Sequence, residues 1–279
     1  MIKPARALNR RAAWNWDRCL ALVVALALLE LAGCAAAKHA AVMAYAQASP
    51  RYLDTSTLDL TRVLPPAPAD DSAETRADLD EMLKVQAART PAQADRARAD
   101  ADATVFRLAD ALGNPPAFNA KSLPLTAAMF RRVLASELVV VGAAKNYYKR
   151  PRPFRLEPQL QPVIEKPNDF SYPSGHSSWV RAVALVLADM VPEKRAQIIA
   201  RANEYARNRV VAGVHYPTDI EAGKLAGTAI AAALFASADF RGDLAAATSE
   251  LRQALNLPAR WADGPTAAAR SEPASAGSH

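Results

Sequence analysis

The chain has 279 residues, 51% of them hydrophobic, with only ten glycines and a formal charge of +6 from 34 Lys/Arg against 28 Asp/Glu. That size and apolar share allow a full core, as one large or two small domains, and the dominance of Ala, Leu and Val over Gly favours a mostly α fold over a sandwich or barrel. No basic tract with interleaved aromatics stands out, which argues against nucleic acid as a partner.

Residues 1 to 34 hold five of the cations (Lys3, Arg6, Arg10, Arg11, Arg18) and two acids (Asp17, Glu30), so the remainder carries 29 basic against 26 acidic residues, or +3. A basic stretch, then the apolar Leu20 to Leu29, then Leu31-Ala32-Gly33-Cys34 reads as a secretory leader. Leu-Ala-Gly-Cys also resembles a bacterial lipobox, so two readings stand: lipidation of Cys34, or cleavage among Ala35 to Ala37. Both cysteines, Cys19 and Cys34, fall in this region, which leaves the body without a disulfide. No later run is long and uncharged enough to cross a membrane, and a soluble body is expected.

Residues 35 to 70 include Leu64-Pro65-Pro66-Ala67-Pro68 and read as an irregular wrapping segment. Amphipathic helices are then expected over Asp71 to Arg89 and Thr90 to Leu112, the second opening on a Thr-Pro cap and stopped by Gly113-Asn114-Pro115-Pro116. Further helices are expected from Thr126 to about Lys149, Ser177 to Met190, Glu193 to Arg209 and Thr218 to about Ala236. Beyond Trp261 the composition of Ala, Ser, Pro and Gly reads as a disordered tail, which makes 35–260 the expected single domain.

The third of these helices carries an apolar stripe, Phe130, Leu134, Leu138 and Val141, whose next member is Lys145. The fifth repeats the pattern: Ile198, Ala202 and Tyr205 lead to Arg209. A cation continuing an inward stripe is costly unless an anion meets it, and two such helices suggest one shared anion. Arg152, seven residues beyond Lys145, would point the same way if the helix nearly continued.

Of the four histidines, only His176 and His215 lie in the body. Pro173-Ser174-Gly175-His176 directly precedes a helix, where free N–H groups and the positive end of the macrodipole attract an anion and glycine permits close approach. In His215-Tyr216-Pro217-Thr218-Asp219, an aspartate accepting from one imidazole nitrogen would fix the tautomer and leave the other as a nucleophile. Each feature alone has an ordinary explanation in snorkelling, a serine cap or a loop hydrogen bond, and function rests on their conjunction.

Together, Lys145-x6-Arg152-Pro153, Pro173-Ser174-Gly175-His176 and Arg209-x5-His215-x3-Asp219 resemble the tripartite signature of the type 2 phosphatidic acid phosphatase superfamily. The leader and the segment from Tyr52-Leu53 to Leu64-Pro65-Pro66 make the chain most similar to the bacterial class A nonspecific acid phosphatases. The motifs span residues 145 to 219, with a looser likeness over roughly 50 to 240. One departure is Asn208, where the family commonly has serine before the arginine.

The resemblance implies an all-α bundle that hydrolyses small phosphate monoesters without metal or other cofactor, in the periplasm or anchored through Cys34 to the outer membrane. A monomer and a homo-oligomer are both compatible with it. It implies that His215 attacks phosphorus to form a phosphohistidine, that Asp219 orients the ring, and that His176 protonates the leaving alkoxide and then activates water. Lys145, Arg152, Arg209, the Ser174 hydroxyl and the Gly175 amide would hold the phosphoryl oxygens. Asp219 is expected to raise the pKa of His215, bound phosphate that of His176, and the pH optimum to lie on the acid side.

Three rival readings use the same residues. Vanadium-dependent haloperoxidases share such a pocket but are generally longer. A metal enzyme would use His176, His215 and Asp219 as ligands, against the repulsion of three cations. A non-catalytic envelope protein would bind anions without needing a histidine nucleophile.

Overall fold

The computed structural model describes residues 49–260; the leader with Cys34, and the tail beyond Trp261, lie outside the described residues. The elements are all helical: α1 (Ala73–Ala88), α2 (Pro91–Ala99), a 3-10 stretch (Val105–Leu112), α3 (Pro124–Tyr148), the single turn α4 (Pro153–Leu156), α5 (Gly175–Met190), α6 (Arg195–Val211), α7 (Pro217–Ala236) and α8 (Ala238–Ala254). Among the described residues there is no strand, and no single helix is long and apolar enough to cross a membrane.

Capping explains several boundaries. Ser72 and Thr90 accept from Thr75 and Gln93 N–H to open α1 and α2, the latter with a full capping box and Pro91 in the first turn. The N-terminus of α3 has no cap of its own; Glu250 from α8 accepts from Leu125 and Thr126 N–H at 2.9 and 2.8 Å. Lys149, in the left-handed region at φ 54, ends α3.

The expected helix over Thr90 to Leu112 is in fact two pieces. Asp100 caps α2, and its buried carboxylate turns to Arg201 (2.5 Å) and Asn208 (2.7 Å) on α6, so a tertiary charge pair diverts the chain where local pattern favoured continuation. The segment before residue 70 is irregular as expected, apart from the 3-10 turn Leu60–Arg62; Leu53, Leu60 and Leu64 are buried there. Helix α8 was not anticipated; its inner face buries Phe240, Ala247 and Leu251.

Helix α5 is the centre of the fold. Val183, Ala184, Val186 and Leu187 are buried in it, and α7 lies alongside. Two glycines on α7 permit that contact: a Cβ on Gly223 would lie 2.7 Å from the Ser174 carbonyl, and one on Gly227 2.3 Å from the Ser178 carbonyl. The approach brings the N-termini of α5 and α7 together, where Ser174 N–H donates to the Asp219 carbonyl (3.0 Å) and the Ser177 hydroxyl to the Ile220 carbonyl (2.8 Å). The second and third sequence blocks are thereby held against each other.

Candidate active site

A cavity of about 300 Å³ opens where the N-terminus of α5 meets α3 and α6, and its wall includes Lys145, Arg152, Gly175, His176, Arg209 and His215. Residues seventy positions apart thus share one hollow. Ser174 and Asp219 are fully buried beside this wall, Ser174 next to Gly175 and Asp219 against the His215 ring.

The stripe on α3 turns out to face the cavity. Leu134 and Leu138 are only partly buried and line it along with Val141, so Lys145 ends a cavity-facing row. On α6 the stripe of Ile198, Ala202, Tyr205 and Arg209 is buried throughout. Arg152 arrives by a different route from the expected helical continuation. After the left-handed Lys149, the chain turns and Arg152 becomes the residue preceding α4, yet its guanidinium still reaches the same hollow.

His215 lies at the entry to α7 with its side chain buried. Its Nδ1 donates to Asp219 Oδ2 at 3.1 Å, and its Nε2 accepts from Arg152 Nη1 at 2.7 Å. The tautomer is fixed by those two bonds: the proton sits on Nδ1 and the lone pair on Nε2 faces the cation cluster. Asp219 is positioned by the Tyr216 N–H (3.1 Å) and by Arg150, whose Nη1 donates to Oδ1 at 2.8 Å.

Electrostatics correct one expectation. The pKa of His215 lies well below the ordinary histidine value, because burial, then Arg152, Lys145 and Arg209, disfavour the imidazolium. Asp219, 3.1 Å from Nδ1, does not outweigh burial and these cations. His176 is likewise held down, to about 3, by burial first and Arg209 next; its Nε2 donates to the Ala101 carbonyl at 3.0 Å, which leaves Nδ1 uncommitted.

The cations are held in different ways. Lys145 donates to the Phe170 carbonyl and lies 3.1 Å from Asp169 Oδ2; its pKa falls to about 8 through burial, then Arg152, against support from Asp169. Arg152 donates to Asp169 Oδ1 and to the Val214 carbonyl. Arg209 is 3% exposed, and its Nε and Nη1 have no partner, while burial lowers its pKa to about 10. Two buried guanidinium donors without acceptors are expensive unless an anion fills the space beside them. The Gly175 and His176 amides, in the first turn of α5, add donors without an intrahelical acceptor, whereas the Ser174 oxygen accepts from Ser177 N–H at 3.3 Å and keeps its own proton to give.

Sequence reasoning missed Arg150, Asp169 and Glu137. Arg150 is buried, with its guanidinium 3.8 Å above the Tyr216 ring and bonded to Thr75, Thr218 and Asp219, but in Lys149-Arg150-Pro151-Arg152 nothing separates it from its basic neighbours. Asp169 holds two cations from a loop with no periodicity. Glu137, three residues after Leu134 and four before Val141, shares the face of an otherwise apolar stripe. Asn208 faces Asp100 rather than the cavity.

Fold and cavity together define a helical protein built around a cation-lined hollow with a fixed histidine tautomer. The profile of the PAP2 superfamily matches residues 127–243. The chain is 32% identical over 203 residues to a non-specific acid phosphatase of Salmonella typhi, covering 70% of this chain and 80% of that one. It is 36% identical over 137 residues to an acid phosphatase of Zymomonas mobilis, a stretch that spans 47% of this chain and 52% of its relative. A bacterial vanadium-dependent iodoperoxidase of known structure superposes with a TM-score of 0.50 at 19% identity, over 63% of this chain and 52% of that one, a likeness of fold alone. The chain belongs to the PAP2 superfamily and, within it, to the class A-like acid phosphatases.

Proposed function

We propose that the protein hydrolyses small phosphate monoesters in two displacements at His215, with no metal. The observation that carries this reading is the convergence of the His215 Nε2 lone pair with the unpartnered Nε and Nη1 of buried Arg209 in one cavity. A phosphoryl group there would take Arg209, Arg152 and Lys145 around its equatorial oxygens, with the Gly175 amide and Ser174 hydroxyl as further donors.

In the first displacement Arg152 moves its hydrogen bond from Nε2 to a phosphoryl oxygen, the freed Nε2 lone pair attacks phosphorus and the bond to the ester oxygen breaks, while His176 gives that oxygen the Nδ1 proton. In the second, His176 takes a proton from water, whose oxygen attacks the phosphohistidine and releases orthophosphate. Asp219 keeps the Nδ1 proton of His215 in place throughout. Since the empty site holds His176 neutral, its proton must come with the anion, either because bound phosphate raises its pKa or because the ester enters as its monoanion below pH of about 6. An optimum on the acid side follows. Three fixed cations supply the charge stabilisation that a divalent ion would otherwise bring.

The test is an alkaline quench during turnover of a labelled monoester, followed by peptide mapping: phosphate on His215, absent in His215→Ala, is expected, and turnover without that adduct would sink the proposal. The haloperoxidase alternative is checked alongside by halide oxidation with vanadate. The proposed location, periplasmic or anchored through Cys34, rests on the leader and is tested by fractionation of cells carrying Cys34→Ala.

A further inference from the structure

The cavity is larger than a phosphoryl group needs. Its α3 wall runs from Lys145 back through Val141 and Leu138 to Leu134, with Trp179 and Ala103 also lining it, so this part of the space beyond the cations is largely apolar, while residues 165–169 add a polar stretch to the lining. Short of Lys145, one polar side chain interrupts the apolar row on α3. Glu137 is 2% exposed, lines the cavity, and its Oε1 has no hydrogen-bond partner. By contrast, Asp169, which lines the cavity from the loop before α5, is held by Lys145 and Arg152.

Its position identifies which part of a substrate it would meet. A Cβ built on Gly175 would lie 3.4 Å from Glu137 Oε1, 3.9 Å from Val141 Cγ1 and 4.0 Å from Lys145 Cε, so the carboxyl stands against the residue next to His176. In an in-line displacement the leaving oxygen departs opposite the nucleophile. With His215 as nucleophile, that is the His176 side, where Glu137 is. Burial first, opposed only in part by Lys145, raises the Glu137 pKa to about 8, so at acid pH the group is neutral and does not repel the phosphate beside it.

We propose that Glu137 is the specificity-determining residue for the leaving group, its Oε1 accepting a hydrogen bond from an O–H carried by an aromatic alcohol whose ring lies against Leu134, Leu138 and Trp179. This rests on the phosphatase reading of the cavity and names the substrate class that reading leaves open: aryl monoesters bearing a hydroxyl. An unpartnered buried acceptor is costly, and a ligand donor removes that cost, so esters that supply the donor are favoured over equally large ones that do not.

Phenyl, 3-hydroxyphenyl and 3-methylphenyl phosphate separate donor from bulk. Their affinities are measured by calorimetry on His215→Ala, which cannot form the adduct, beside kcat/KM on the enzyme with His215. The 3-hydroxyphenyl ester is expected to bind about tenfold tighter than the other two, as for one hydrogen bond to a buried acceptor. The preference should vanish when Glu137→Leu is added and persist with Glu137→Gln, whose amide oxygen still accepts. Equal affinities for the three esters, including binding too weak to detect for all, overturn the assignment, as does a preference that survives Glu137→Leu. The affinity order without turnover by the His215 enzyme would overturn the phosphohistidine chemistry and uphold Glu137.

Discussion

Arg150 and Asp219 form a buried pair, with guanidinium Nη1 2.8 Å from carboxylate Oδ1, and the carboxylate's other oxygen orients the His215 ring. Arg150 is not part of the cavity wall, yet it holds the carboxylate that orients His215. Arg150→Met leaves Asp219 uncompensated, which favours the imidazolium and raises the pKa of His215. The acid limb of the kcat/KM profile, where His215 must be neutral, should then move to higher pH. Removing one partner of a buried pair also costs about 3 to 5 kcal/mol, read by denaturant unfolding. An unmoved acid limb would separate Arg150 from the chemistry.

Asp169 occupies Lys145 and Arg152 in the empty site. Its own pKa is depressed: burial acts upward, but the two cations outweigh it. Asp169→Asn removes an internal competitor for phosphate and, at the same time, the carboxylate that supports the charge on Lys145. Inhibition by orthophosphate should tighten several-fold at pH 5, as expected for one displaced ion pair. The alkaline limb of activity should move down, because buried Lys145, already at about 8, then loses its proton sooner. Titration of inhibition and rate from pH 5 to 9 reads both effects.

Glu137 makes stability fall with pH. Its folded pKa of about 8 exceeds the ordinary carboxyl value of 4.5, so the folded state holds the proton more tightly and loses up to about 1.4 kcal/mol per pH unit between the two. His176 works in the opposite sense: folded near 3, it makes stability fall as pH drops below 6.5. Glu137→Leu should therefore raise the unfolding free energy at pH 8 while leaving pH 4.5 nearly unchanged, as measured by urea titration at the two pH values.

Much of this site was legible because its residues interrupt patterns. Lys145 and Arg209 announced themselves by ending apolar stripes, and the glycine-histidine turn by opening a helix. Arg150 and Asp169 interrupt nothing: one lies in a basic run, the other in an aperiodic loop, and only tertiary contact selects them. The same limit explains the elements. Helices α3, α5, α6 and α7 follow from their apolar period, with the Ser174 cap opening α5, whereas the break after Ala99 comes from Asp100 reaching Arg201 and Asn208, a long-range pairing that local propensity does not contain.

Gly227→Ala forces a methyl to within 2.3 Å of the Ser178 carbonyl, on backbone that cannot swing aside. A loss of about 3 kcal/mol and a fall in Tm of roughly 10 °C are expected by calorimetry. Gly242→Ala on α8, with nothing within 4 Å, is the control and should stabilise by about 0.5 to 1 kcal/mol.

That glycine seam between α5 and α7 also divides labour in the molecule. Both histidines hang from the ends of two rods clamped side by side, so the gap between attacking and protonating groups is machined into backbone and is insensitive to what the outer wall of α3 carries. Exchanging side chains at Leu134, Glu137 or Leu138 would retune which alcohols are accepted while the reacting centre keeps its dimensions.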